Sequence, residues 1–502
     1  MKITIHNPQK MSFQGEKYLY EILGQLSFSL DSQKMRIRIT EGISEKKHQG
    51  KLDFFDENSR QNLCKELSEK NNLDGNLLDL ELSELANELE AYIEAEFDKS
   101  SGSKENESAK KELTPSAEVE AIEFLKQKNL FQELDKLIEK SGIVGEEDAR
   151  KVLFTIASSY KMPYTMHALV QGSSGSGKSH LVNGIMQCMP QEDIKDITRI
   201  SGKGFYHYGE SDLMNKLMVI QDYTGLGEEA QYALRELQSS GKLVSLVPTK
   251  DKLGEMKSME KIIRAHFASL MATTEGQIYF DNMSRSICLS VDESVEQTQR
   301  IVEYYNQGLT GKVSKEQQNE AKQLLRNIIR VLKPYRVINQ YAEAIQLPME
   351  AKMQRRLNSQ FQSFIAQVTL LHQHQRKTDK QGRLIATKED IKTAIDVFFT
   401  SIVLKMDELD GSCRQFFENL KDLSKKGTVK KTFTPKDLRA AMNLERTRVF
   451  EQLKTLHQLE YIKIVGGSSN KGFEYELNGF DYMDKKKKEA IKTELYAQVN
   501  KL

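Results

Sequence analysis

The chain has 502 residues, and its 73 lysines and arginines almost balance its 72 aspartates and glutamates. Such a length suits about three or four domains. A formal net charge of +1 excludes a polycation that binds nucleic acid through its overall charge, so any such contact must come from local patches.

The sequence predicts a cytoplasmic protein. Its first residues, MKITIHNPQK, contain no long apolar run, and no segment approaches the roughly 18 apolar residues of a membrane span. The four cysteines are far apart and form no C-x-x-C pair, which predicts buried thiols in a reducing compartment rather than zinc or disulfide sites. They are Cys64, Cys188, Cys288 and Cys413.

Residues 1–97 predict a small N-terminal α+β accessory domain. The alternation of apolar and basic residues over Met35–Thr40 predicts a half-buried strand, and Asn58–Glu69 and Asn76–Phe97 predict helices. The leucine stripe of the second helix is wide enough to pack on the rest of the chain or on a partner protein. Residues 98–118, DKSSGSKENESAKKELTPSAE, are too polar to fold alone and predict a flexible linker.

Residues 172–179, GSSGSGKS, fit the phosphate-binding loop pattern at every fixed position. An apolar strand, His167–Gln171, precedes the loop and a helix with His180 in its first turn follows it, which is the context that the motif requires. The alternative is a simple glycine-serine turn before a helix. The candidate nucleotide-binding residues are Gly172, Ser173, Ser174, Gly175, Ser176, Gly177, Lys178, Ser179 and His180.

The loop predicts the binding of ATP with Mg²⁺. Glycines allow successive backbone N–H groups to turn inward around a polyphosphate, and the start of the helix adds the positive end of its dipole. Lys178 has the length to reach the β- and γ-phosphates, and the Ser179 hydroxyl is a candidate Mg²⁺ ligand.

From Ala168 to about Val291, strands and helices alternate, which predicts a parallel sheet with helices on both faces. We assign residues 119–310 to this ATPase core. The apolar run Leu217–Ile220 ends in Gln221 and Asp222, where an acid beside the phosphate loop is expected. Asp222 is our candidate Mg²⁺ ligand or water-orienting carboxylate; the alternative is a strand-end aspartate that caps a turn.

Three lysines, Lys250, Lys252 and Lys257, lie on a polar tip between predicted strands at Gly241–Val247 and Ile262–Ala272. This hairpin is a candidate DNA contact, although charged tips are often only solvated. Thr274 follows the second strand and is a candidate sensor of the γ-phosphate.

The remaining third of the chain is largely helical. Residues 311–411 predict a helical lid, in which His372 and His374 mark a solvated helix end. Residues 412–480, with three helices and a hairpin with a glycine-rich tip, predict a winged helix, and residues 481–502 a basic helical tail. Winged helices bind DNA or proteins; the candidate DNA contacts are Arg446, Arg448 and Lys471.

Six motifs in this order resemble the helicase-type ATPase portion of primase-helicases of the zinc-finger/Toprim type found on bacterial mobile elements. They are GSSGSGKS, GESDLMNKLMVIQDYTG, LRELQSSG, MATTE, MSRSICLSVDES and LHQHQR. The resemblance covers about residues 30–480. It implies a P-loop AAA+ module, similar in layout to MCM and superfamily 3 helicases, that works as a hexamer on single-stranded or forked DNA.

The resemblance also implies roles for individual residues. Arg285 matches the arginine finger that reaches the γ-phosphate of the neighbouring subunit; capping a turn or pairing with Asp281 or Asp292 is the alternative. Arg355 or Arg356 matches the second sensor arginine, and the lysine hairpin matches the insert that follows DNA through the ring. Gln221 departs from the family's paired acids, which leaves the division between metal ligand and base open.

The resemblance predicts an ATP-dependent DNA helicase or translocase in the replication of a mobile element. No cysteine-rich zinc module and no primase domain precede the ATPase here, so we expect priming to be absent or supplied by a separate protein. Two other functions stay open: an ATP-switched DNA-binding initiator or loader, and a nucleotide-driven sensor scaffold of a defence system that recruits an effector.

Overall fold

A computed structural model describes residues 4–7, 10–23, 34–41, 46–54, 56–71, 73–102, 113–250, 256–274, 284–442, 444–468 and 472–502. The chain divides into two compact units, Met1–Glu112 and Leu113–Leu502.

The first unit is an antiparallel sheet in the order β1-β2-β3-β4-β5, covered by two helices. The predicted strand and both predicted helices are present. Glu81, which is buried on the second helix, accepts hydrogen bonds from the Glu16 amide and the Tyr20 hydroxyl, both at 2.6 Å, and so fixes this helix to the sheet. The elements are β1 (Thr4–Asn7), β2 (Lys10–Gln14), β3 (Tyr18–Leu23), β4 (Lys34–Glu41), β5 (Lys47–Asp53), α1 (Glu57–Asn71) and α2 (Gly75–Gly102).

The predicted linker is shorter than the sequence indicated. Helix α2 continues to Gly102, and the next helix begins at Pro115 with a Thr114 N-cap, so helical residues occupy both ends of the range 98–118. Residues 103–112 lie outside the described part of the chain.

The second unit contains a central parallel sheet, a helical layer and a C-terminal group of helices with a small sheet. Its helices are α3 (Pro115–Leu125), α4 (Leu130–Lys140), α5 (Glu147–Ala157), α6 (Lys178–Gln187), α7 (Glu228–Ser240), α8 (Val295–Leu309), α9 (Lys315–Val331), α10 (Gln354–Leu371), α11 (Lys388–Met406), α12 (Gly411–Lys425), α13 (Pro435–Met442), α14 (Arg446–Gln458) and α15 (Lys485–Asn500). Its strands are β6 (His167–Gln171), β7 (Ile194–Ile197), β8 (Leu213–Ile220), β9 (Lys242–Lys250), β10 (Met256–Thr273), β11 (Ile287–Ser290), β12 (Val337–Ile338), β13 (Leu384–Ile385), β14 (Thr432–Phe433), β15 (Ile462–Ser468) and β16 (Gly472–Leu477).

The central sheet has the order β11-β6-β10-β8-β7, and these five strands are parallel. This confirms the predicted parallel sheet. All five residues of β6 are buried, as expected for a strand covered on both faces. The first half of β10 pairs with β9 in an antiparallel hairpin, and its second half enters the sheet between β6 and β8.

One hydrophobic core extends from the sheet into the helices of the predicted lid and the C-terminal helix. Ala168 of β6, Phe361 of α10, Ile395 of α11 and Leu495 of α15 belong to the same buried cluster. Helix α15, predicted as a basic tail, is therefore packed into the second unit by its apolar face. Within the described ranges, no helix combines the length and apolar character that crossing a bilayer requires.

Residues 411–477 form a group with its own core. The order along the chain is α12, β14, α13, α14, β15, β16, and the strands pair antiparallel in the order β14-β16-β15. Phe417, Leu453 and Tyr461 are buried in this core. The four cysteines of the chain are buried and free.

Candidate functional site

The phosphate loop joins β6 to α6 and depends on glycines at three positions. Gly175 and Gly177 have φ angles of 77° and 94°, which other residues adopt only with strain. A Cβ atom on Gly172 would lie 2.7 Å from Val291 and from the Ser176 hydroxyl, so the close approach of the loop to its neighbours needs glycine there. Helix α6 then begins at Lys178, with its amino end beside the loop.

Lys178 lies across the loop and is only 6% exposed. Its ammonium group donates to the Ser173 carbonyl and lies 3.5 Å from the Ser176 hydroxyl. Burial lowers the pKa of Lys178, and the nearby Arg448 guanidinium lowers it further, whereas the carboxylates of Glu293 and Asp222 raise it. The lysine is therefore held at the loop, within the electrostatic range of two acids.

The sheet order brings Thr274 and Asp222 to the same edge as the loop. Strand β10 pairs with β6 on one side, with Thr273 opposite Gln171, and with β8 on the other, with Met271 opposite Ile220. Because the carboxyl ends of parallel strands share one edge, the residues that follow each strand are neighbours. Thr274 lines the same cavity as Ser173–Gly177.

Asp222 lies in a tight turn at the end of β8. Its carboxylate accepts hydrogen bonds from the Thr224 amide at 3.1 Å and the Thr224 hydroxyl at 2.7 Å. The amide of Tyr223 donates to the Ala272 carbonyl at 2.8 Å, which fixes the turn against β10. The predicted alternative, a turn-capping aspartate, thus describes its local contacts, and the exposed position of the carboxylate leaves room for a metal-binding role as well.

Gln221 stands where the first of two adjacent acids was expected, and its side chain is neutral. Its amide nitrogen lies 2.5 Å from the Asn183 side-chain oxygen on α6 and 3.3 Å from an Asp196 oxygen on β7. Gln221 thus connects the helix that follows the phosphate loop to the edge strand of the sheet.

Glu293, which sequence reasoning missed, contacts the start of the loop. Its two oxygens accept hydrogen bonds from the Ser173 amide at 2.7 Å and the Ser173 hydroxyl at 2.8 Å. Its position three residues after β11 was a usable signal, because β11 pairs with β6 in parallel and ends at the same edge.

Arg448 pairs with Glu293 at 3.1 Å, and the two side chains are 21% and 16% exposed. The sequence predicted a DNA contact for Arg448, whereas the structure places it beside the phosphate loop. Of the other two predicted C-terminal contacts, Arg446 is exposed and stacks over Phe450, and Lys471 lies outside the described residues.

Burial raises the pKa of Glu146 to about 7. This residue precedes α5, and its carboxylate accepts a hydrogen bond from the Asp292 amide at 2.9 Å. That bond lowers the pKa, whereas the carboxylates of Asp292, Glu147 and Glu293 raise it. Glu146, Asp292 and Glu293 therefore form a cluster of acids, of which Asp292 and Glu293 line the cavity at the loop.

We expect the stability of the protein to depend on Glu146 and pH. The folded pKa of about 7 lies above the ordinary value of 4.5, so the folded state binds more protons between these values and loses stability as pH rises through them. Glu146→Gln removes this loss. We therefore expect the free energy of unfolding of Glu146→Gln, minus that of wild type, to increase by about 1–3 kcal/mol from pH 5 to pH 8. Urea denaturation at each pH measures this difference.

Glu147→Gln is the matched control. Glu147 pairs with Arg300 at 2.6 Å, and hydrogen bonding and charge lower its pKa despite some burial. A group whose pKa is lowered in the folded state adds stability above its unfolded pKa. The free energy of unfolding of Glu147→Gln should therefore not increase relative to that of wild type as pH rises. Equal pH dependence of wild type and Glu146→Gln would contradict a raised pKa at Glu146.

The structure places Arg285 and Arg356 away from the phosphate loop of the same chain. Arg285 precedes β11, at the amino edge of the sheet, and its Nε donates to the Ser239 hydroxyl at 2.6 Å. Arg356 is exposed in the first turn of α10, as is Arg355. One turn later, Gln360 donates to the Ser284 carbonyl at 3.3 Å, next to Arg285.

The other predicted site residues fall in two places. Ser174, Ser179 and His180 are exposed on the loop and the first turn of α6. Lys250 and Lys257 lie in the paired part of the β9–β10 hairpin, which is longer than predicted, and Lys252 lies outside the described residues.

Residues 114–334 match a family model described as the MTBMA_p00010 P-loop domain. The match supports a P-loop NTPase. It spans the phosphate loop, Thr274, Asp222 and the five parallel strands. No curated protein matched the chain. A P-loop domain implies nucleotide-dependent activity, with Mg²⁺ as the usual partner of the nucleotide.

Proposed function

We propose that the protein is an ATP-dependent DNA helicase or translocase that acts as a ring of identical chains in the replication of a mobile element. One observation carries the ATP-dependent part of the proposal: β10 lies between β6 and β8, so that Thr274 and Asp222 share one edge of the sheet with the phosphate loop. A bound triphosphate would then contact a lysine, a hydroxyl sensor and an acid at once.

Mg²⁺ fits the oxygen donors at this edge. The Ser179 hydroxyl and the Asp222 carboxylate would hold the ion together with phosphate oxygens, since Mg²⁺ is commonly bound through one or two carboxylates and the substrate phosphates. Among the described residues, no three histidine, cysteine, aspartate or glutamate side chains could hold a metal by themselves. Lys178 would neutralise charge on the transferring phosphoryl group, and Asp222 would also orient the attacking water.

Arg285 is proposed to act on the nucleotide of the neighbouring chain. It precedes β11, which pairs with β6, and the five residues of β6 separate that end of the sheet from the loop. At about 3.3 Å per residue this is roughly 16 Å, beyond the reach of an arginine side chain. A role at a triphosphate therefore requires a second copy of the chain. Arg356, near the same edge, is proposed to sense the nucleotide in the same way.

DNA contact is proposed for the β9–β10 hairpin and the C-terminal group. The two strands of the hairpin pair from its base, at Lys242 and Arg264, to Lys250 and Met256. The hairpin extends from the edge of the sheet opposite the phosphate loop. Nine residues of β9 span about 30 Å at 3.3 Å each, long enough to enter a channel. The order of helices and strands in residues 411–477 supports the proposed winged helix, with Arg446 and Lys471 as its DNA contacts.

A second function is an ATP-switched initiator or loader that turns over slowly. The Gln221 bridge favours it, because a neutral amide held by Asn183 and Asp196 supplies no second acid to activate water. The two functions differ in how DNA affects the rate of hydrolysis.

ATP hydrolysis by the full chain with and without single-stranded DNA tests the proposal. A motor should be stimulated about tenfold or more, because DNA in the ring orders the shared sites. Arg285→Ala should bind ATP normally and lose turnover. Mixing it with Lys178→Ala should restore part of the activity, because a site that takes its loop from Arg285→Ala and its arginine from Lys178→Ala is intact. Weak DNA stimulation would favour the loader, and no restoration at any mixing ratio would contradict Arg285 acting between chains.

A further inference from the structure

A chain of polar contacts connects the phosphate loop to the C-terminal group. Ser173 donates to Glu293 through its amide and its hydroxyl, and Glu293 pairs with Arg448 at the start of α14. Arg448 also lies 3.4 Å from the Ser412 hydroxyl, in the first turn of α12. Two elements of the C-terminal group thus meet the loop through one guanidinium.

Arg448, Ser412 and Glu293 line one cavity of about 1570 Å³ with loop residues 173–177 and Thr274. The cavity is large enough for a nucleoside triphosphate. The phosphate loop forms part of its lining, and α12 and α14 form another part. The pair therefore lies at the border of the space that a nucleotide bound to the loop would enter.

The charges around Glu293 explain why it needs a cation. Glu146 and Asp292 are near, and the carboxylate of Glu293 raises the pKa of Glu146. A polyphosphate would add about three or four negative charges beside this cluster of acids. Without a partner, the Glu293 carboxylate would repel the polyphosphate and would compete for the positive charge of Lys178, whose pKa it raises.

We propose that Arg448 is a positioning residue of the nucleotide site: it neutralises and orients Glu293, and so makes triphosphate affinity depend on the docking of the C-terminal group. This inference rests on the proposed binding of a triphosphate to the loop. Arg448 acts through Glu293 and not by contact with the phosphates. Because this coupling is reciprocal, nucleotide binding should in turn stabilise the docking of the C-terminal group.

Equilibrium titration of the full chain with fluorescent analogues of ATP and ADP in Mg²⁺ at low salt tests the proposal. Arg448→Ala should weaken the ATP analogue about tenfold and the ADP analogue less, because repulsion by Glu293 grows with the charge of the ligand. Glu293→Gln in the same chain should return the Kd to within about threefold of the Glu293→Gln single variant, because the repelling charge is gone.

Arg439→Ala is the matched control, since Arg439 is an exposed arginine on α13 of the same C-terminal group. It should leave both Kd values unchanged, and the melting temperatures of all variants show whether each is folded. An unchanged Kd in Arg448→Ala would overturn the proposal. An equal loss of affinity for the ATP and ADP analogues would also overturn it. So would a loss of affinity that Glu293→Gln fails to rescue, because that result indicates direct contact of Arg448 with the phosphates. Absence of binding by wild type would instead refute the nucleotide site itself.

Discussion

Lys178→Ala should lower the rate of ATP hydrolysis by about a hundredfold to a thousandfold, as expected when a preorganised cation at a transferring phosphoryl group is lost. The side chain is held across the loop by the Ser173 carbonyl and is buried, and the loop sequence GSSGSGKS contains no second lysine that could replace it. Steady-state release of phosphate measures the effect.

Lys485→Ala is the control for a general effect of losing a lysine. Lys485 lies at the start of α15, and its side chain is 91% exposed. Its ammonium group lies 3.9 Å from a carboxylate oxygen of Glu489. It should hydrolyse ATP at the wild-type rate. A rate of hydrolysis by Lys178→Ala within about threefold of wild type would contradict the assignment of the phosphate loop to the active site.

Arg414→Met should lower the free energy of unfolding by about 3–5 kcal/mol, because it leaves a buried carboxylate without its cation. Asp407 is completely buried and accepts two hydrogen bonds from Arg414, at 2.5 and 2.7 Å. Arg414 also bonds Asp481 at 2.7 Å, so this one guanidinium connects α12 to the segments before it and before α15. Chemical denaturation measures the loss.

Adding Asp407→Asn to Arg414→Met should recover about half of that loss, because it removes the buried charge and keeps an acceptor for the Leu409 amide. Arg383→Ala is the surface comparison. Its partner Asp379 is four residues away, and water screens this pair, so we expect a much smaller loss than in Arg414→Met. Similar losses in Arg383→Ala and Arg414→Met would contradict a buried ion pair at Asp407.

The parts of the site that the sequence could predict are those held in one contiguous pattern. The phosphate loop is a run of eight residues, and the strands before Thr274 and Asp222 are apolar enough to be recognised. Parallel strands then bring these residues to one edge without further information. Their location follows from the sheet, and their chemical roles are proposals.

Contacts between distant segments could not be predicted. Arg448 and Glu293 are separated by 155 residues, and an arginine on a helix with exposed neighbours carries no sign that it faces a carboxylate. The same holds for His372. The polar residues His372–Gln375 predicted a solvated helix end, but His372 is buried against Phe131 and lies 3.2 Å from Asp390 of α11.

Strands that depend on a neighbour were also missed. Strand β5, KHQGKLD, has almost no apolar alternation, and it is a strand because β4 offers a paired edge over seven residues. The same reasoning applies to the first half of β10, whose polar residues were assigned to a hairpin tip. Backbone pairing with β9 extends this strand to Met256.

Equilibrium binding of a non-hydrolysable ATP analogue to the purified full chain, followed by calorimetry with Mg²⁺ present, tests the nucleotide site most directly. We expect one analogue per chain, with affinity weakened at least about tenfold by Lys178→Ala and unaltered by Lys485→Ala. No detectable binding at millimolar analogue, or binding that Lys178→Ala leaves intact, would show that the loop at residues 172–179 holds no triphosphate.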